Sequence, residues 1–332
     1  METDRTFIDK LAPGQTLDQV FLVRDKDLRT TKSGDLYIQC TLCDRTGTIP
    51  AKMWQASESI YAAVATDGFL HVKGRVQDYR GSPQLIIDAC RPCAADKVDL
   101  ADFLAVTEHD VEQMWSELLE ILRAIKDKHL RLLIKKFLED HDLVAAVKRA
   151  PAAMQLHNPF IGGLLEHTLS VARAAKAILP LYPKLNGDLV LAGVFLHDIG
   201  KAAELACGTS ISYTDRGQLI GHITIAAIWI EQKAAAVAAE TGQPFPQKTL
   251  NLLQHIALSH HGAYEYGSPK LPMFPEAYFI HFLDNLDAKM YMTVHGIEAN
   301  ADPAASFTSY VRSLETRLYK GSATLSDADS PS

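Results

Sequence analysis

Histidines and aspartates in the second half of the chain lie in or beside apolar segments. The set comprises His167 in GLLEHTLSV, His197 and Asp198 in FLHDIGK, His222 in LIGHITIA, His260 and His261 in ALSHHG, and Asp284 in FIHFLDNLDAKM. One such histidine would be an ordinary core residue, but burying several polar groups is costly unless they are paired or bind a metal. Neutral imidazole and carboxylate are common ligands of Mn²⁺, Fe²⁺, Co²⁺ and Ni²⁺. The set therefore predicts a site for divalent transition metals.

The size of the set predicts more than one ion. Seven candidate ligands exceed the four that a tetrahedral ion takes. We therefore expect two ions bridged by the carboxylate of Asp198. Two neighbouring ions are a usual device for cleaving phosphodiesters: one generates a hydroxide from water, and both neutralise the charge that develops on the phosphoryl oxygens.

Two neighbours of these ligands are candidates for supporting roles. Lys201 follows Asp198 by three residues. It is either a solvated lysine at a helix end or, as we predict, a catalytic residue that acts with Asp198 and stabilises charge on the phosphate. Gly200 is expected to form a tight turn that directs Lys201 towards the ions. Asp287 shares a helix face with Asp284, and it either orients a ligand histidine from behind the site or is solvated.

The elements before residue 95 are predicted to be short strands. Alternating segments at 16–30, 35–43, 46–54, 69–79 and 84–89 are separated by turn signals, and a short helix is predicted over 55–65. This order is the layout of an OB-fold, a small barrel that often binds single strands. Aromatic and basic side chains could contact such a strand, namely Tyr37, Lys52, Trp54, Arg75, Tyr79 and Arg80. Packing on a strand is the alternative for each aromatic residue.

The remainder of the chain has a helical apolar period. Thr107 and Asp110 resemble a capping box, and helices are predicted over 130–148, 162–179, 187–197, 219–240, 248–260, 275–295 and 303–319. Gly296 is predicted to end the helix that Pro275 begins. The predicted fold class is α+β multidomain, with an N-terminal extension at 1–14, a five-stranded OB-fold barrel at 15–94, a linker at 95–107, an all-α domain at 108–319 with its core at 160–300, and a disordered tail at 320–332.

Composition limits the classes of protein to which the chain can belong. A net charge of -7 argues against a protein that coats nucleic acid without specificity. The chain has no apolar run of ~18 residues, which a membrane span needs, and its N-terminus lacks the apolar segment of a signal peptide. We therefore expect a cytoplasmic protein with no membrane partner. Exposed apolar helices can support a homo-oligomer.

Four cysteines form two CxxC pairs, Cys40 with Cys43 and Cys90 with Cys93. Such pairs occur in structural zinc sites. Cys40 lies on a predicted strand, however, where residues three apart point to opposite faces. We favour small core residues, with a zinc ribbon as the alternative.

The ordered histidines and aspartates, with HDIGK, resemble the two-metal branch of the HD-domain phosphohydrolase superfamily. The stretches HNPFIGGLLEHTLSVA, GQLIGHI, LSHHGAYEYGSPKLPMFPEA and HFLDNLDAKM, after a barrel that contains DRTGTIPAKMW, resemble the YhaM-type 3′→5′ exoribonuclease family over residues 15–300. The resemblance implies a nuclease, active with Mn²⁺ or Co²⁺, that trims single-stranded RNA and often DNA from the 3′ end. It implies the same metal ligands and places His157 and the loop residues Gly267, Ser268 and Lys270 near the substrate.

The predicted function is thus a metal-dependent 3′→5′ exonuclease that releases nucleoside 5′-monophosphates, with the barrel guiding the strand. A small-molecule phosphohydrolase, either a cyclic-dinucleotide phosphodiesterase or a nucleotidase, is the alternative. An adaptor without hydrolytic activity is disfavoured because every ligand position is filled. The choice between RNA and DNA stays open at this point, and so does the metal, among Mn, Fe, Co and Ni.

Overall fold

The computed structural model describes residues 5–154, 157–299 and 305–321. These residues form two compact units. The first runs to Val106 and includes the segment Ala206–Ser212, and the second holds the other described residues. The predicted disordered tail lies outside the described residues from position 322 onward, and the first four residues of the predicted N-terminal extension also lie outside them.

Five strands of the first unit close into a barrel. They are β1 (Thr16–Thr30), β2 (Leu36–Asp44), β3 (Gly47–Met53), β4 (Phe69–Tyr79) and β5 (Ser82–Cys93), and α1 (Glu58–Ala63) connects β3 to β4. The strand order is β1-β2-β3-β5-β4, in which only the β3–β5 pair is parallel. Alternate apolar side chains such as Phe21, Leu42 and Val72 fill the interior. This architecture confirms the predicted OB-fold.

The curvature of the barrel depends on a glycine in β4. The pairing of β4 with β5 shifts register between Lys73 and Gly74, which marks a β-bulge. A Cβ atom on Gly74 would lie 2.3 Å from the carbonyl oxygen of Ile86. Only glycine allows the two strands to approach this closely at the bulge.

Segments on either side of the barrel strands pack onto the barrel. Short 3-10 turns occur at Ile8–Lys10, Ala95–Lys97 and Leu100–Asp102. The amide of Ile8 donates to Asp44 Oδ2 at 2.8 Å, and the Phe103 ring packs against Phe69 with 4.8 Å between centroids. The described residues before and after the strands therefore share the packing of the first unit.

The second unit is built mainly from helices around one apolar core. These are α2 (Val111–Leu122), α3 (Lys128–Leu138), α4 (His141–Arg149), α5 (Gly163–Ile178), α6 (Gly187–Leu196), α7 (Lys201–Glu204), α8 (Asp215–Ile220), α9 (His222–Thr241), α10 (Gln247–Ser259) and α11 (Pro275–Glu298). Helix α6 is apolar on all faces and is buried from Leu189 to Leu196, as expected of a helix at the centre of a domain. None of the described helices is long and apolar enough to cross a membrane.

Two helix predictions differ from the structure because of side-chain caps. The predicted helix over 130–148 is two helices, because the Asp140 carboxylate accepts from the amide of Leu143 at 3.1 Å and begins α4 there. Asp110, rather than a Thr107 capping box, caps α2 by accepting from the amide of Gln113 at 2.8 Å. The side chains of Asp and Asn compete for backbone amides in this way and restart helices.

The prediction of a helix over 303–319 is wrong, and with it the prediction that the second domain is entirely helical. Of this range, the described residues form the antiparallel strands β8 (Phe307–Val311) and β9 (Thr316–Tyr319). A second short pair, β6 (Leu205–Cys207) and β7 (Ile211–Tyr213), lies between α7 and α8. Gly296 does not end α11, which continues to Glu298. A Cβ there would lie 3.0 Å from Leu318, so Gly296 makes room for β9.

Candidate metal centre

Helices α5, α6, α9, α10 and α11 bring the seven predicted ligands into two groups of four. One group is Asp198, His222, His260 and His261, and the other is His167, His197, Asp198 and Asp284. Within each group, the potential ligand atoms all lie within 4.8 Å of one another. Helix α6, buried from Leu189 to Leu196, leads into His197 and Asp198, which are also buried. The structure therefore brings together every residue of the predicted set, with Asp198 common to both groups.

The two oxygens of Asp198 face different groups. Oδ1 lies 3.2 Å from His260 Nε2 and 3.5 Å from His222 Nε2. Oδ2 lies 3.5 Å from His197 Nε2 and 3.6 Å from His167 Nε2. A carboxylate that bridges two ions needs this disposition, with one oxygen directed to each.

All five imidazoles hold Nδ1 against an acceptor outside the centre. The pairs are His167 with Asp287 at 2.7 Å, His197 with the Val194 carbonyl at 2.7 Å, His222 with Glu204 at 2.9 Å, His260 with the Ala257 carbonyl at 2.8 Å, and His261 with the Tyr266 carbonyl at 2.7 Å. When Nδ1–H donates outward, Nε2 can turn its lone pair towards the centre. Such outer partners fix the tautomer and the orientation of metal-binding histidines.

Several atoms that face the centre lack a hydrogen-bond partner. The Nε2 atoms of His167, His197 and His260 and the Oδ1 atom of Asp198 are buried in this condition. Buried polar atoms without partners are rare in folded proteins and call for an explanation. A divalent cation would supply the missing partner, and the imidazole and carboxylate donors suit such cations. The residues present therefore fit divalent metal binding.

Burial and neighbouring charges set the protonation of the ligands. Burial lowers the pKa of His197 to about 4 and that of His261 to about 3, which keeps both imidazoles neutral. Burial also opposes charge on His167, but the carboxylates of Asp284, 3.2 Å from Nε2, and Asp287, 2.7 Å from Nδ1, outweigh it and raise its pKa to about 10. Since a ligand imidazole must be neutral, metal binding would release the His167 proton.

Lys201 is buried, so the alternative of a solvated lysine is wrong. Its Nζ donates to Asp198 Oδ2 at 2.6 Å. Burial opposes ionisation of Asp198, but this ammonium together with His197 and His260 holds the pKa of the Asp198 carboxyl well below its usual range. Residues 197–200 form a turn, closed by the amide of Lys201 donating to the carbonyl oxygen of Asp198 at 2.9 Å. Gly200 has a φ of -64°, ordinary right-handed backbone, so the turn itself does not require glycine. A Cβ on Gly200 would lie 2.1 Å from the carbonyl oxygen of His222, so glycine here permits close contact with α9.

Two carboxylates support ligand histidines from behind. Asp287 contacts His167 Nδ1 and also accepts from the hydroxyl of Ser170. Glu204, which sequence reasoning missed, accepts from both the amide and Nδ1 of His222 at 2.9 Å. No local sequence signal marks Glu204, because its contact joins residues that are 18 positions apart.

The structure places His157 beside the centre, with its ring centroid 5.3 Å from that of His167. Its Nε2 atom is buried without a hydrogen-bond partner, and burial lowers its pKa to about 3. Asn158 next to it has the unusual φ of 44° and is anchored by Asn158 Nδ2 to Glu166 at 3.4 Å. In the predicted substrate loop, Ser268 is buried and its hydroxyl lacks a partner, whereas Gly267 and Lys270 are exposed.

In the barrel unit, five of the six predicted nucleic-acid-binding residues form one surface cluster. Tyr37 packs on Trp54 with 5.1 Å between centroids, Lys52 Nζ lies 5.5 Å from the Trp54 ring and 5.2 Å from the Tyr79 ring, and Arg80 lies 5.4 Å from Tyr79. Trp54 and Tyr79 are each 47% exposed, so both rings are accessible. We call Tyr37, Lys52, Trp54, Tyr79 and Arg80 the aromatic–basic surface. Arg75 instead forms an ion pair with Asp88 at 2.7 Å.

The CxxC cysteines lie in two different apolar clusters, Cys40 with Cys90 and Cys43 with Cys93. Cys40 is in the barrel interior, where burial raises its pKa to about 12. Cys43 belongs to a different apolar cluster and contacts the carbonyl of Leu22 at 3.4 Å. Cys90 lies 3.8 Å from the sulfur of Met53. Among the residues that the structure describes, the two metal-competent groups contain no cysteine. This geometry favours core cysteines over a zinc ribbon.

Comparison with known proteins places the chain among named relatives. The model of the HD domain family matches residues 164–289, a range that contains both groups of four. The 3′-5′ exoribonuclease YhaM of Bacillus subtilis is 36% identical over 307 residues, which cover 92% of this chain and 95% of that protein. The protein of the same name from Halalkalibacterium halodurans is 32% identical over 307 residues, covering 92% and 93%.

Part of the chain is also similar to solved structures. A domain of replication protein A from Methanococcus maripaludis is 19% identical with a TM-score of 0.23, and the match covers 26% of this chain and 92% of that one. The long matches to the exoribonucleases include both the barrel and the metal centre. The chain belongs to the YhaM 3′-5′ exoribonuclease family.

Proposed function

We propose that this protein is a divalent-metal-dependent 3′→5′ exonuclease that shortens single-stranded RNA and releases nucleoside 5′-monophosphates. The activity is that in the names of the relatives, which are similar over nearly the whole chain. The observation that carries the proposal is the pair of ligand groups that share Asp198. A site for two neighbouring ions suits phosphodiester cleavage.

One ion would be held by His167, His197, Asp198 and Asp284. The other would be held by Asp198, His222, His260 and His261. A pair of divalent ions lowers the pKa of a bound water and neutralises charge that develops on phosphoryl oxygens. We propose Mn²⁺ as the usual ion, with Fe²⁺, Co²⁺ and Ni²⁺ as alternatives that the same donors accept.

The other residues of the centre would position the ligands and the substrate phosphate. Asp287 holds the His167 ring and so fixes the direction of its Nε2. Lys201 is a buried cation 2.6 Å from Asp198 Oδ2, where it can balance negative charge during cleavage. Both contacts are formed between side chains of this chain.

The terminal nucleotide would be bound by His157 and the loop that contains Gly267, Ser268 and Lys270. His157 Nε2 and Ser268 Oγ are buried groups without partners, and either can form a hydrogen bond with a nucleotide. Lys270 is exposed and supplies a positive charge for a phosphate. Gly267 has a φ of +84°, a left-handed backbone that glycine adopts readily.

We assign strand binding to the aromatic–basic surface of the barrel. Its exposed rings can stack with bases, and Lys52 and Arg80 can contact the phosphates. Arg75 is a weaker candidate because Asp88 already neutralises its charge. Stacking and phosphate contacts do not distinguish RNA from DNA, so single-stranded DNA is a second proposed substrate. Cytoplasmic location, the lack of a membrane partner and self-association stay predictions.

A product ladder tests the proposal. A 5′-labelled single-stranded RNA and its DNA analogue are incubated with the protein and Mn²⁺, with and without a chelator. Stepwise shortening of the labelled RNA, together with release of 5′-monophosphates, is expected. The Asp198→Ala variant should be inactive, and the exposed Asp142→Ala variant serves as its matched control.

Other outcomes would contradict the proposal. Fragments cut at internal positions would indicate an endonuclease. An intact oligonucleotide, with turnover of a cyclic dinucleotide or a mononucleotide, would favour the small-molecule phosphohydrolase, because the metal ligands alone do not specify a polymeric substrate.

A further inference from the structure

The ligand histidines fall into two classes according to what holds Nδ1. Three of them, His197, His260 and His261, donate to main-chain carbonyls. The other two, His167 and His222, are held by carboxylates. A carboxylate partner makes an imidazole a stronger electron donor than a carbonyl does, because it stabilises positive charge on the ring. The two classes should therefore contribute unequally to ion affinity.

The two carboxylate-held histidines are divided between the ligand groups. His222 belongs only to the group with His260 and His261, and His167 belongs only to the group with His197 and Asp284. Each group therefore contains one imidazole backed by a negative charge. Glu204 supplies that charge in the first group and Asp287 supplies it in the second.

The position of Glu204 depends on close backbone packing. It is the last residue of α7, and it is 7% exposed. Its carbonyl oxygen would lie 2.3 Å from a Cβ on Gly217, and a Cβ on Gly200 would lie 2.1 Å from the carbonyl oxygen of His222. Two glycines thus let α7 approach α8 and α9. The same Glu204 oxygen accepts from the amide and from Nδ1 of His222, so it fixes both the start of α9 and the direction of the ring.

We propose that Glu204 is the positioning residue of the ion bound by Asp198, His222, His260 and His261, as Asp287 is of the other ion. The inference rests on the proposed function, in which the two groups hold separate ions. It makes the affinities of the two ions separately adjustable, each through one carboxylate that does not touch the metal. Loss of such an outer partner typically weakens metal affinity by about 10- to 100-fold.

The structure also allows a simpler role for Glu204, and the experiment must distinguish that role from positioning of the His222 ring. Because its oxygen accepts from the amide of His222, Glu204 could merely begin helix α9. Glu204→Gln keeps an oxygen acceptor and removes only the charge. A capping role predicts normal metal binding in this variant, whereas the positioning role predicts weaker binding of one ion.

The test counts ions in the full-length protein. Wild type, Glu204→Gln, Asp287→Asn and the exposed control Glu231→Gln are stripped of metal, dialysed against buffered free Mn²⁺ at several concentrations, and analysed by elemental mass spectrometry. Wild type and Glu231→Gln should bind two ions. Glu204→Gln should retain one ion at wild-type affinity and bind the other about 10- to 100-fold more weakly. Asp287→Asn should behave in the same way, and the double variant should be weakened at both ions.

Three results would overturn the inference: Glu204→Gln with two ions at wild-type affinity, loss of both ions together, or a wild type that binds one ion. The ion count does not depend on nuclease activity. Two ions in wild type and one in Glu204→Gln, with no shortening of RNA by wild type, would refute the proposed function and leave the inference standing. RNA shortening by wild type, with an unchanged ion count in Glu204→Gln, would refute the inference and leave the proposed function standing.

Discussion

Replacing Gly200 by alanine should separate the metal ligands without changing any of them. Gly200 lies between Asp198 and the start of α7, and its Cα faces the first turn of α9. An alanine Cβ would lie 2.1 Å from the carbonyl oxygen of His222 and 3.0 Å from the amide nitrogen of Ala226. Both neighbours are backbone atoms, so no side-chain rotation relieves the contact.

The size of the effect follows from ordinary contact distances. Carbon and oxygen atoms approach to about 3.3–3.6 Å, so α9 must move away by more than ~1 Å. Overpacking of this kind costs ~1–3 kcal/mol, and we expect the upper end of that range because backbone must shift. The melting temperature should fall by roughly 6–12 °C. This movement takes His222 Nε2 away from Asp198 Oδ1, which lies 3.5 Å from it in the wild-type protein. Because a misplacement of about 1 Å can lower a catalytic rate about 100-fold, we expect a loss of nuclease activity of that order.

Calorimetry and the RNA ladder measure both effects. The matched control is Gly187→Ala, since a Cβ at that helical position would be in ordinary contact, 3.7 Å from Leu179. This control should keep its activity and its melting temperature. A Gly200→Ala variant with wild-type activity and stability would refute the reasoning that this glycine sets the distance between the start of α7 and α9.

Three further predictions concern other parts of the chain. Trp54→Ala should bind single-stranded RNA about 5- to 150-fold more weakly, since a stacked base contributes ~1–3 kcal/mol, and unchanged fluorescence anisotropy would contradict this. The hydrogen bond from Lys233 lowers the pKa of Asp140. This ion pair should therefore stabilise the folded protein by about 0.5–1 kcal/mol at pH 7, and that stabilisation should be lost as the pH falls below about 4. Urea unfolding that shows the same deficit for Asp140→Asn at pH 7 and pH 3 would refute it. At pH 8 iodoacetamide should modify the partly exposed Cys93 and leave Cys40 unmodified, because burial raises the pKa of Cys40 to about 12. Equal modification of the two cysteines, measured by mass spectrometry, would contradict the burial of Cys40 in the barrel core.

Secondary structure and burial are predicted best from the sequence where a periodic pattern is compatible with only one low-energy arrangement. The barrel strands alternate and are bounded by turn residues, so their positions agree with the structure within a few residues. The same holds for α6, whose apolar sequence from Leu189 to Leu196 requires burial. Polar side chains at the ends of buried apolar segments likewise need polar partners, and contact with one another supplies them. The structure accordingly brings all seven predicted ligands together.

Predictions failed where the outcome depends on contacts between distant segments. The break at Asp140 involves no Gly or Pro, and only the cap on Leu143 marks it. The hairpin of β8 and β9 has aromatic and β-branched residues at spacings that also fit a helix, and its contact with Gly296 joins segments that the local sequence pattern does not relate. Arg75 meets Asp88 across two strands whose register is shifted by a bulge.

Glu204 is a residue of the metal centre that could not be predicted from the sequence. No local pattern shows that the residue ending a four-residue helix will contact His222, 18 residues later. That contact requires the close approach that Gly200 and Gly217 permit. A glycine with ordinary backbone dihedrals gives no sign in the sequence of the neighbour for which it makes room.

The most direct test of the two-ion centre is anomalous diffraction from crystals of the protein grown with Mn²⁺. We expect two anomalous peaks about 3.5–4 Å apart, one beside each group of ligands, with Asp198 contacting both. A single peak, or two peaks of which one lies away from His222, His260 and His261, would contradict the account.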